Sequence, residues 1–192
     1  MRGKKLDVDE TEDAKILSPL VIAKSSLDSA DPNKPETPAN APVKMAKRAI
    51  GSLGEKLTLL PQSAQNRCFG CGPENAIGLQ LKFHSNDDGM IVGLGSISNL
   101  YEGPTGYLHG GIIATLLDEV MSKTIRNLGV AGMTRTLQID YLRPVPSDSA
   151  IRMEAHLEHR EGRKFFTRGK ILDAQGSVLA SGKALFIEVK KH

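Results

Sequence analysis

No apolar run in this 192-residue chain approaches the roughly 18 to 20 residues needed to cross a bilayer, and its N-terminus lacks the continuous apolar stretch of a secretory signal. The expectation is therefore a soluble protein of the cytoplasm, or of the mitochondrial matrix if the source is eukaryotic. Charge of one sign is scarce too. Lys and Arg number 25 against 22 Asp and Glu, and no block of five like charges occurs, which argues against a nucleic-acid partner. Cysteine is nearly absent. The two present, Cys68 and Cys71, are too few for a disulfide scaffold or for a four-ligand zinc site within one chain, so reduced thiols are the default. Gly70, Gly72, Pro73 and Asn75 place that pair in a turn, away from the strand-to-helix junction that thioredoxin-type chemistry uses. His84, His156, His159 and His192 show no metal-type clustering, and neither a metal nor a bound cofactor is expected.

What is present divides into two parts. Residues 1–42 hold Pro19, Pro32, Pro35, Pro38 and Pro42 amid charged residues and serine, a composition that cannot bury enough apolar surface to offset its ordering entropy. Residues 1–65 are read as a largely disordered extension, with a short helix at 43–60 suggested by Ile50, Leu53, Leu57 and Leu60. The basic residues Lys44, Lys47, Arg48 and Lys56 would also suit a membrane surface or a targeting role, although the acidic run from Asp7 to Asp13 is unlike a transit peptide.

Residues 66–192 form the folded domain on this reading. Alternation predicts strands at Leu79–Phe83, Ile91–Ile97, Thr134–Tyr141, Ile151–Arg160, Lys164–Leu172 and Val178–Val189. One long helix is predicted from Gly110 to about Leu128, stopped by Gly129. Strands, one helix, then four strands with short connections make an α+β domain with an antiparallel sheet around a single helix; no βαβ alternation is present.

At 100° per residue, Ile113, Leu116, Leu117, Val120, Met121, Ile125 and Leu128 cover one face of that helix, while Thr115, Glu119, Ser122, Lys123 and Arg126 lie on the other. Asp118 falls on the border. A carboxylate there is partly desolvated, which raises its pKa and makes it a better base, although a boundary Asp can equally well reach water or bond a neighbouring backbone group. At the helix entrance, His109, Gly110 and Gly111 leave first-turn amides open to a developing negative charge; the plainer alternative is a tight turn with His109 as a cap. The eight residues from Gly110 to Asp118 span about 12 Å, too far for one carbonyl to touch both. If both act on one substrate, two subunits must share the site.

The run from His109 through Gly110, Gly111, Ile112, Ile113, Ala114, Thr115, Leu116 and Leu117 to Asp118 closely resembles the helix signature of PaaI-like acyl-CoA thioesterases of the hotdog superfamily. Further matches follow: Cys68-Phe69-Gly70-Cys71-Gly72 with Gly78-Leu79 as a lead-in, Tyr141-Leu142-Arg143-Pro144 as a strand end, and Glu161 to Phe166 as the next strand pair. This resemblance implies a hotdog fold, a role in lipid metabolism, and hydrolysis of acyl-CoA by a homodimer or by a tetramer of two dimers. Asp118 would be general base or nucleophile, with a Gly110 or Gly111 amide polarising the carbonyl and His109 beside it. Thr134 would hold substrate or water. Asp140, Arg152, Met153, Arg163, Lys164 and Phe165 match positions lining the coenzyme A groove; the basic pair could also be a solvated turn, and Phe165 could fill the core. Relatives with an Asn or Gln before the helix orient the carbonyl or His, whereas this chain has Glu102 in that region. Two other readings stay open: an acyl-CoA-sensing domain without turnover, and an enoyl-CoA hydratase.

Overall fold

The computed structural model describes residues 55–189. The expectations for residues 1–54, including the tail and most of the helix proposed at 43–60, lie outside the described residues. Where that helix expectation reaches the described chain it does not hold, because Thr58–Leu59 is a strand, β1. It is followed by β2 (Phe83–Ser85), β3 (Ile91–Ser96), α1 (Gly110–Asn127), β4 (Gly132–Tyr141), β5 (Ala150–Glu161), β6 (Lys164–Leu172) and β7 (Val178–Glu188). All neighbours pair antiparallel, in the spatial order β1-β2-β3-β5-β6-β7-β4. The sheet therefore begins ahead of residue 66. Among the described residues, no helix is long and apolar enough to cross a membrane.

The four later strands fall within a residue or two of their expected limits because their turns are chemically explicit. Gly162, with φ +56°, opens the two-residue turn between β5 and β6, where an L side chain would be strained. The first predicted strand is mostly not one. Leu79 and Leu81 are buried in an irregular lead-in that Gln80 kinks with φ +49°, and pairing starts only at Phe83.

Helix α1 carries the chain from β3 to the far edge, where β4 joins β7. It lies against the sheet through Ile113, Leu116, Leu117, Val120, Met121 and Ile125, all buried as the wheel predicts. Leu128 instead caps the C-terminus and is exposed, and Gly129 follows with φ +77°. The helix sits close because small residues lie beneath it. A Cβ on Gly169 would come within 2.9 Å of Met121 Cγ, and one on Gly182 within 3.5 Å of Leu117 Cδ1. Leu117→Ala, at a site with 0% exposure, should cost about 2–5 kcal/mol of stability, read as a fall in the denaturant midpoint.

Candidate active site

Asp118 projects from the middle of α1 towards β4, where Thr134 Oγ1 donates a hydrogen bond to Asp118 Oδ1 at 2.8 Å. Simple alternation would not have put Thr134 there. Leu137 and Ile139 of β4 pack on the core, so an even-numbered residue should face the other way. The register shifts between Thr134 and Thr136: Thr134 is opposite Phe186, Thr136 is opposite Leu185, and Arg135 is the extra residue. This bulge returns Thr134 to the helix side, a common use of bulges beside functional groups. Both residues open onto a cavity of about 690 Å³ walled by Leu81, Phe83, Phe186 and Met133 among others.

Desolvation pushes the Asp118 carboxyl above its ordinary value of 3.8; the Thr134 hydrogen bond opposes that rise and Glu119 adds to it. A raised folded-state pKa means that the stability Asp118 contributes is present at low pH and is lost as pH rises through that value. The charged carboxylate is thus held in place at some cost to the fold.

The helix mouth lies two turns away. His109 is the N-cap, and its Nδ1 accepts the Gly111 N–H at 2.9 Å. The expectation that both first-turn amides are open needs correcting accordingly: capping takes Gly111. No acceptor for the Gly110 N–H is found among the described residues, while the Gly110 carbonyl accepts a bond from the Tyr141 hydroxyl at 3.1 Å. Neither glycine lines the cavity around Asp118. Glu102 is occupied in the fold, bonded by Ser147 and bridged to Leu108.

Three expected groove residues are placed elsewhere. Met153 (0% exposed) and Phe165 (1%) are core residues, since the inward face of their strands meets the rest of the core and not a groove. Arg152 lies on the opposite face of β5 from Met153. There it is held by both Glu55 carboxylate oxygens, at 3.0 and 2.8 Å, and by Glu154, so its charge is already matched. Asp140 is exposed on β4, and Lys164 is exposed at the β5–β6 turn. Arg163, at the same turn, donates to the Glu188 carbonyl at 2.7 Å.

The wheel placed Glu119 and Lys123 on the polar face, but their side chains are only 13% and 15% exposed. The lead-in carrying Cys68 and Cys71 covers that face. Cys68 Sγ donates to Glu119 Oε1 at 3.2 Å, Lys123 Nζ lies 3.0 Å from both Glu119 Oε2 and Cys71 Sγ, and all four residues line the cavity. Burial works to raise the Glu119 carboxyl, but the Lys123 charge and the two thiol hydrogen bonds outweigh it and hold it low. Burial pushes the Cys71 thiol up to about 11. A helix wheel registers where the sheet is, and it has no information about a loop closing over the opposite side.

A family model described as "Thioesterase superfamily" matches residues 105–180, from the loop before α1 into β7. Acyl-coenzyme A thioesterase THEM4 of Bos taurus is 32% identical over 139 residues, 71% of this chain and 57% of that protein. The chain thus spans little more than half of that relative's length. A crystallised thioesterase superfamily protein is 36% identical, with a TM-score of 0.60 over 63% of this chain and 60% of the other. A Bacillus halodurans protein crystallised with CoA is 28% identical, with a TM-score of 0.53 over 59% of this chain and 76% of its own. The helix signature, the sheet wrapped on one helix and these similarities agree: the chain belongs to the thioesterase superfamily through a hotdog domain, as the PaaI-like character of its sequence implied.

Proposed function

We propose that this chain hydrolyses acyl-CoA thioesters, with Asp118 as the catalytic carboxylate. The observation that carries the reading is the half-buried Asp118, held by Thr134 at 2.8 Å on the wall of a cavity large enough for a small ligand. A carboxylate short of solvation takes a proton readily, so it can draw one from water attacking the thioester carbonyl, or attack that carbonyl itself. Its relatives' names and the CoA bound to a structural neighbour supply the substrate class.

The carbonyl oxygen needs a donor, and on this reading it is the Gly110 N–H of a second subunit. The helix dipole adds to that amide, and His109 keeps its neighbour Gly111 occupied. β4 is where a second copy would pair. Among the described residues it ends the sheet with no strand on its outer edge, and Met133 (66% exposed), Tyr141 (55%) and Leu142 (57%) lie on or just after it. Light scattering should give twice the chain mass or a multiple of it. Arg163 and Lys164 remain candidates to meet the CoA phosphates or pantetheine, Asp140 remains a candidate to line the groove, and coenzyme A enters only as part of the substrate.

Thiol release from a panel of acyl-CoAs tests the reading. Tight calorimetric binding with no release would mean a sensing domain, and water addition to enoyl-CoA a hydratase. Thr134→Val should lower kcat/KM about ten- to hundredfold, the worth of one hydrogen bond to a charged group. Because that bond favours the carboxylate, its loss raises the Asp118 pKa further, so the acid limb of the pH profile should move to higher pH. An unmoved limb would separate Thr134 from the base.

A further inference from the structure

The cysteine pair plays no part in the proposed hydrolysis, yet it is built with care. Asn66 Oδ1 accepts the Cys68 N–H at 3.0 Å and the Cys68 carbonyl accepts the Gly72 N–H at 2.8 Å, closing a tight turn that presents both sulfurs to the helix. Only a glycine leaves space for what meets them: a Cβ on Gly70 would stand 2.3 Å from Glu119 Cγ, and one on Gly72 would stand 2.5 Å from the Asn66 carbonyl oxygen. Cys68 Sγ, Cys71 Sγ and a Glu119 oxygen all lie within 4.8 Å of one another. Bonds of about 2.3 Å to sulfur and about 2.1 Å to oxygen put the ligand atoms of a tetrahedral zinc site about 3.4–3.8 Å apart, so closure needs about 1 Å of adjustment. Glu119 Oε2 is sealed from solvent and receives no hydrogen bond of good geometry among the described residues; its neighbour is the Lys123 ammonium at 3.0 Å.

We propose that Cys68, Cys71 and Glu119 bind one zinc-type divalent cation, with a fourth position facing the cavity shared with Asp118. Two thiols with a carboxylate select a borderline-soft cation over calcium or magnesium, which take oxygen ligands. Binding displaces both thiol protons: the cation forms two metal–sulfur bonds and one metal–oxygen bond, and two protons leave to solvent. The metal and its three anionic ligands then total one negative charge. Lys123 cancels it and stays within reach of the Cys71 sulfur as a donor. A disulfide is the rival use of the pair, but it involves neither Glu119 nor Lys123, and Cys71, at 3% exposure, is screened from an oxidant.

The test uses the full chain, reduced with a phosphine, stripped with a chelator and titrated with cobalt(II), then zinc. One cobalt per chain should bind, with a sulfur-to-metal charge-transfer band and the strong visible bands of tetrahedral coordination, and zinc should bleach both. Cys68→Ser with Cys71→Ser should lose the charge-transfer band. Glu119→Gln, which keeps both sulfurs, should bind at least tenfold more weakly with altered visible bands. If the parent chain shows no sulfur-to-cobalt band, if Glu119→Gln binds as tightly as the parent, or if the two thiols oxidise to a disulfide while no metal is taken up, the site is not a metal site. None of these readouts depends on hydrolysis, so the outcome stands apart from that of the thioesterase reading.

Discussion

Asp118→Asn should hydrolyse acyl-CoA about two to four orders of magnitude more slowly than the parent chain, because the amide is isosteric and still accepts the Thr134 hydrogen bond but takes no proton. The fall should appear in kcat, since nothing that holds coenzyme A is removed. Stability should move the other way. The carboxyl pKa is raised by burial, so at neutral pH the ionised side chain gives the fold none of the stability that its protonated form supplies at low pH. A neutral Asn avoids that desolvation. The midpoint of thermal unfolding at pH 7 should equal or exceed that of the parent, whereas an ordinary structural Asp would show a fall. Undiminished turnover in Asp118→Asn would remove the proposed base.

Gly110→Pro is the second large effect, and it deletes one N–H with little else. Gly110 is the first residue of α1, where proline is well tolerated because that amide has no partner within the helix. The preceding residue, His109, already has φ −61° and ψ 141°, the extended conformation required before proline. A Cβ at this position meets the Tyr141 ring no closer than 3.6 Å. Turnover should nevertheless fall about 100- to 1000-fold, the typical cost of one oxyanion donor, with the far-ultraviolet circular dichroism of the parent retained. Wild-type turnover would move the donor away from Gly110.

Much of this arrangement was legible in the sequence. The order of strands, the limits of β5 and β6 and the apolar face of α1 follow from turn residues and periodicity, signals that the local chain carries itself. Asp118 stood out because it broke the wheel. Other residues depend on tertiary placement. Met153 and Phe165 obey alternation, but alternation says which face they share and not what that face meets. Thr134 reaches Asp118 only through the bulge at Arg135, which alternation from Leu137 does not show, so it entered the expected site through the family resemblance alone. Glu119 and Lys123 look solvated on any wheel, since the loop that covers them begins some fifty residues earlier.

The most direct test of a site shared between subunits is a heterodimer. Asp118→Asn and Gly110→Pro chains, co-expressed with different tags and isolated as the mixed species, would hold one site with both groups intact and one with neither. A site shared between subunits should give about half the parent turnover from two nearly inactive parents. A heterodimer no faster than either variant alone would contradict it.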